Sequence, residues 1–86
     1  MGKPLLPEEA IIALENVMIE AVPKHGMDSW RGQDLDYHLM RAERHIQKRA
    51  MGDNTEDHLA HAACRLLLAL AQRESAAKSQ EGAEKR

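Results

Sequence analysis

His58-Leu59-Ala60-His61-Ala62-Ala63-Cys64-Arg65-Leu66-Leu67-Leu68-Ala69-Leu70 is the stretch on which the fold turns. Leu59, Ala62, Ala63, Leu66 and Leu70 recur at the spacing of one helical face, while Cys64, Leu67 and Leu68 carry apolar character well round the cylinder. A helix this apolar must be covered on more than one side. The spacing predicts a helix over 55–75, with Asn54 or Thr55 as its cap and Glu56 and Asp57 in its first turn.

Upstream, Gly52-Asp53-Asn54 is too short a break for anything but an antiparallel hairpin with the preceding helix. That helix is expected over 34–51, capped by Asp34 and carrying Leu35, Leu39, Ala42, Ile46 and Ala50 in a single stripe. The first helix is expected over 7–22. Pro7 suits its first position, Glu8 and Glu9 favour the positive end of its dipole, and Pro23 is expected to end it. Ile11, Leu14, Met18 and Ala21 form one apolar line on it, Ile12 and Ile19 a second. Residues 23–33, with two glycines and no periodicity, read as an 11-residue loop, longer than helical connections usually are and therefore a place to look for function. No segment reads as a strand.

The expectation is an all-α fold: a small antiparallel bundle of three main helices over residues 1–75, completed by homodimerisation, followed by a polar tail over 76–86 that is either a helical extension or disordered. Self-association follows from size as well as pattern, because a chain of 86 residues buries only about 60–65% of its unfolded surface. A net charge of −2, from 12 basic and 14 acidic residues, leaves no footprint for general DNA or RNA binding. The absence of a membrane-length apolar run or a signal-like N-terminus, with a single cysteine, points to a cytoplasmic protein; Cys64 is expected to be a small packed residue.

Chemistry is concentrated in three places. The loop Lys24-His25-Gly26-Met27-Asp28-Ser29-Trp30-Arg31-Gly32 holds the only tryptophan of a chain without phenylalanine. Its indole can cover a base and its guanidinium can grip a phosphate through paired donors; the plainer reading makes Trp30 a plug for the bundle end and leaves Arg31 solvated. On the second helix His38, Arg41 and His45 lie on one flank, with Glu43 on the other. His58 and His61 stand one turn apart on the third helix, the way bundles present side chains to a metal, although interface or surface histidines have the same spacing. Nearby carboxylates are Glu43, Asp53, Glu56 and Asp57.

The Trp-Arg loop, Arg44-His45 and His58-Leu59-Ala60-His61-Ala62-Ala63, in this order, resemble the dATP/dGTP diphosphohydrolase N-terminal domain family of phage and prophage proteins, itself similar to the all-α nucleotide pyrophosphohydrolases of the MazG type. The likeness runs from Lys3 to about Leu70. It implies a metal-dependent pyrophosphohydrolase acting on purine nucleoside triphosphates to give monophosphate and pyrophosphate. Under it His45 and Glu43 are catalytic candidates, Lys24, Trp30 and Arg31 hold the substrate, and His58, His61 and Asp57 hold a divalent metal, magnesium or manganese. MazG-type enzymes present Glu-x-x-Glu and Glu-x-x-Asp, whereas this chain has His58-x-x-His61 at the place of the second, and its connection between the second and third helices is shorter than in the family it resembles. That departure motivates an alternative: a non-enzymatic helical interaction protein that keeps the fold without the chemistry.

Overall fold

A computed structural model describes residues 5–26 and 28–84, with side chains through residue 78. Among them are helices α1 (Glu8–His25), α2 (Leu35–Ala50) and α3 (His58–Glu84), a 3₁₀ turn at Ser29–Gly32, and no strand. The fold is an all-α bundle in which α2 and α3 form the principal antiparallel pair and α1 lies against α3. No described helix is long and apolar enough to cross a membrane.

Local chemistry explains the boundaries, with two corrections to the sequence reading. Pro23 does not stop α1. Its ring removes one amide donor, but only two residues follow it, and the helix ends at Gly26, whose φ of 89° few other residues adopt and whose N–H closes on the Val22 carbonyl at 2.8 Å. The third helix begins at His58, capped by Asp57, whose Oδ1 accepts from the Ala60 N–H at 3.1 Å. Thr55 is held outside the helix because its backbone N–H and hydroxyl both donate to Asp53 Oδ1, at 3.0 and 2.8 Å. Asp34 caps α2 as expected, accepting from the Tyr37 N–H at 2.8 Å. At the other end Gly52, with φ 86°, donates to Arg49 and Asp53 donates to Lys48, the paired bonds of a Schellman stop. At the C-terminal end α3 continues through the segment read as a tail, where Ala76, Ala77 and Lys78 are good helix formers.

The core differs from the expected one in which faces it uses. Its buried residues are His38, Ala42 and His45 of α2 with His58, Ala60, Ala62, Cys64, Leu68 and Ala69 of α3. Alanines let the two helices approach closely, so the Leu stripes lie outward: Leu59, Leu66 and Leu70 are 62%, 47% and 48% exposed, and Leu39 and Ile46 are exposed too. The face of α3 bearing Cys64 and Leu68 is the one that is covered. Cys64 is indeed a packed residue, its Sγ 3.3 Å from Met18 Sδ, and burial pushes its thiol pKa up. No α1 residue is fully buried.

The loop is fastened from α3. Gln72 Nε2 donates toward the carbonyl oxygens of Trp30, Arg31 and Gln33, at 3.3, 3.1 and 2.6 Å, and so ties the 3₁₀ turn to the far end of the helix pair. Gln72→Ala is expected to destabilise the protein by about 1–3 kcal/mol, as lost satisfaction of partly buried carbonyls does. Its second readout is the emission of Trp30, which should shift to the red as the turn loosens; an unshifted spectrum and unchanged melting would mean that Gln72 does not anchor the loop.

Candidate metal centre and adjoining cleft

The short hairpin sets the last turns of α2 against the first turns of α3, and three imidazoles meet there. His45 Nδ1 lies 2.9 Å from His58 Nδ1, both rings being buried. Glu56 Oε1 approaches the same point, 3.5 Å from His45 Nδ1, 3.7 Å from His58 Nδ1 and 3.9 Å from His61 Nδ1. The His45 ring centroid is 5.1 Å from that of His58 and 5.2 Å from that of His61. His61 is half-buried at the edge of the group, facing the cleft described below.

Proton placement in this cluster follows from Asp53. Its carboxyl is held down to about 2, first by the Thr55 backbone N–H, then by the His58 ring and the Thr55 hydroxyl, so it is an acceptor at neutral pH. His58 Nε2 therefore donates to Asp53 Oδ2 at 3.0 Å, which turns His58 Nδ1 toward the cluster. The 2.9 Å contact between the two Nδ1 atoms needs a proton on one of them. For His45, burial lowers the pKa most strongly; Glu56 opposes this, and His61, His58 and Arg41 add to it. The ring of His45 is thus neutral at pH 7, and because His58 Nε2 donates to Asp53, the shared proton sits on His45 Nδ1, where a bound ion would take its place.

These donors fit a divalent transition ion. Atoms bound to one such ion at about 2.1 Å lie about 3.0–3.4 Å apart, and the candidate ligand atoms of His45, Glu56 and His58 all fall within 4.8 Å of one another. Asp53 behind His58 supplies the carboxylate that commonly orients a ligating histidine and selects its tautomer. Imidazole nitrogens with one carboxylate suit manganese, zinc or nickel better than magnesium, which prefers oxygen.

Of the residues singled out in the sequence, the structure brings together His45, His58 and His61. Asp57 is the cap of α3, and Glu43 is exposed with its Oε1 accepting from Gln47. Glu56 occupies the place beside the imidazoles instead. Periodicity could not have chosen it among four carboxylates, because it lies in the aperiodic connection. Lys24 and Trp30 line a cleft of about 490 Å³ between α1 and the helix pair, along with His45, Glu56 and His61. Arg31 is turned away, stacked 4.4 Å from the Trp30 ring and paired with Asp28 at 3.4 Å, an exposed contact of little energetic weight. His38 is fully enclosed, its Nε2 3.1 Å from the Trp30 carbonyl and its Nδ1 3.1 Å from Arg65 Nη1. A guanidinium only donates, so Nδ1 accepts and Nε2 carries the proton.

Residues 3–84 match the family model described as dATP/dGTP diphosphohydrolase, N-terminal. No curated protein and no solved structure matches the chain. The geometry of His38 makes a prediction independent of any family: long-range ¹H–¹⁵N spectra at neutral pH should show it as the Nε2–H tautomer, with a slowly exchanging ring proton. A freely exchanging or Nδ1-protonated ring would contradict the packing described for Trp30 and Arg65.

Proposed function

The chain belongs to the dATP/dGTP diphosphohydrolase N-terminal family, and from that membership we propose that it hydrolyses purine deoxynucleoside triphosphates to monophosphate and pyrophosphate with a divalent cation held by His45, His58 and Glu56. The observation that carries this reading is the convergence of three imidazole Nδ1 atoms and the Glu56 carboxylate beside a cleft of about 490 Å³. A cation bound there supplies Lewis acidity toward phosphoryl oxygens and makes water a better nucleophile at neutral pH. The chain's own groups do the rest. Asp53 holds the His58 ring in the ligating tautomer, and His45 stays neutral through burial. Glu56, 45% exposed at the edge of the cluster, is also placed to take a proton from an attacking water. His61 faces the cleft beside it. Trp30 and Lys24 stand at the cleft wall, where an indole can cover a base and an ammonium can meet a phosphate. Glu56 thus takes the part that the sequence offered to Glu43 and Asp57, and the donor set favours manganese over magnesium.

A panel of deoxynucleoside triphosphates with manganese tests this. The expected result is release of monophosphate and pyrophosphate from dATP or dGTP, abolished by chelator and by His58→Ala. Asp53→Asn should weaken manganese binding by about 10–100-fold while leaving helical content unchanged. No turnover of any nucleotide by protein that binds manganese would sink the hydrolase reading and leave a binding protein with the same fold.

We also propose that the protein works as a homodimer through the outward leucines. Leu39 and Ile46 on α2 and Leu59, Leu66 and Leu70 on α3 form two lines of unpartnered aliphatic surface. Sedimentation at micromolar concentration should give a dimer, and Leu66→Glu should give a folded monomer. A monomeric native protein would refute the assembly without touching the metal site.

A further inference from the structure

One turn along the cleft from the imidazoles, two arginines line the wall, one from α2 and one from α3. Arg41 precedes His45 by four residues on α2, and Arg65 follows His61 by four on α3, so the arginine pair lies about 6 Å along the helix axes from the histidines. All four side chains line the same cleft. Among the described residues neither arginine has a carboxylate within ion-pair distance, although Glu20 and Glu56 also line the space.

The two differ in how they are held. Arg65 is fixed: its Nη1 donates to Gln33 Oε1 at 2.9 Å and to His38 Nδ1, and its guanidinium carbon sits 5.5 Å from the centre of the Tyr37 ring. Its other nitrogens make no hydrogen bond among the described residues. Arg41 has no hydrogen-bond partner there, and its Nε is enclosed without one. Burial lowers the pKa of Arg65, and the charge of Arg41 adds to the effect. Two adjacent, partly desolvated cations raise the energy of the fold unless something negative lies between them. Arg65 has a structural part in satisfying His38, but nothing in the surroundings of Arg41 explains the cost of placing a second cation beside it.

We propose that Arg41 and Arg65 form an anion site that grips the polyphosphate chain of the nucleotide, and that it does so without the metal. The assignment of a nucleotide rests on the function proposed above; the affinity for phosphate rests on the arginine pair alone. Forked donors suit phosphate oxygens, and the separation of one helical turn lets one phosphoryl group meet the arginines while the next faces the imidazoles. Arg65 is pre-positioned by His38 and Gln33. Arg41 is the member whose donors the ligand would satisfy.

The test uses the full chain, stripped of metal with chelator at low salt and titrated with inorganic tripolyphosphate, read by Trp30 emission and in parallel by thermal shift. Saturable binding is expected, with dATP binding at least as tightly. Arg41→Gln should weaken tripolyphosphate binding at least about tenfold, and Arg41→Lys should fall between the two, since it keeps the charge but loses the fork. The melting temperature of ligand-free Arg41→Gln should be unchanged or higher, because the substitution removes an unmet donor and no hydrogen bond. His58→Ala should keep tripolyphosphate binding while losing manganese. Absence of tripolyphosphate binding by both readouts, equal binding by Arg41→Gln, or binding of dATP but not of tripolyphosphate would each overturn the site. Arg41-dependent tripolyphosphate binding by a protein that takes up no manganese would uphold the anion site and remove the metal-dependent hydrolase.

Discussion

The seam between α2 and α3 is built on histidines, and each buried imidazole must be given hydrogen-bond partners. Leaving such a group unmet costs roughly 1–3 kcal/mol, a large share of the stability available to a domain this small. His38, His45 and His58 are satisfied by different elements: His38 by the Trp30 carbonyl and Arg65, His58 by Asp53, and His45 by His58 itself. The loop after α1, the turn before α3 and the middle of α3 are therefore all tied to the same line of rings. The alanines opposite them permit the approach that makes these bonds.

That arrangement trades stability for chemistry. A seam of leucines would stabilise the hairpin more simply, but Leu59, Leu66 and Leu70 face outward and only Leu68 is covered. What the polar seam provides is a set of nitrogen lone pairs and cations at fixed positions on rigid helices, open on one side to a cleft. His45 and His61 form one rung of it, Arg41 and Arg65 the next, with Tyr37 beyond. Desolvation acts on both rungs in the same direction: it favours the neutral form of His45 and makes the charge of Arg65 costly to hold. The first effect readies a nitrogen for a metal, and the second favours an anion. A nucleotide with a divalent cation, the ligand proposed for this cleft, would answer both.

The turn Gly52–Asp57 does more than join two helices. The Schellman stop sets the direction of Asp53, whose carboxylate then gathers the Thr55 amide, the Thr55 hydroxyl and the His58 ring. Glu56 is left projecting from the far side of the same turn toward all three imidazoles. Six residues thus place one carboxylate against the imidazoles, a second behind the His58 ring and a third at the cap of α3.

Much was legible in the sequence. Helical periodicity, Asp34 as a cap, the Gly52 break and the short hairpin determined three helices and the antiparallel pairing of the last two, because these depend on local backbone chemistry. The spacing of His58 and His61 and the presence of His45 near the hairpin indicated where imidazoles would meet. What only the tertiary structure decided was which face of each helix is covered. A helix that is apolar most of the way round has no single inward face, so its neighbours choose, and here they chose Ala62, Cys64 and Leu68 over Leu59, Leu66 and Leu70. The same limit hid Glu56 among four carboxylates and Arg65 among the surface charges. The position of Glu56 depends on turn geometry rather than period, and the role of Arg65 depends on His38 and Arg41, which reach it only when α2 folds back along α3.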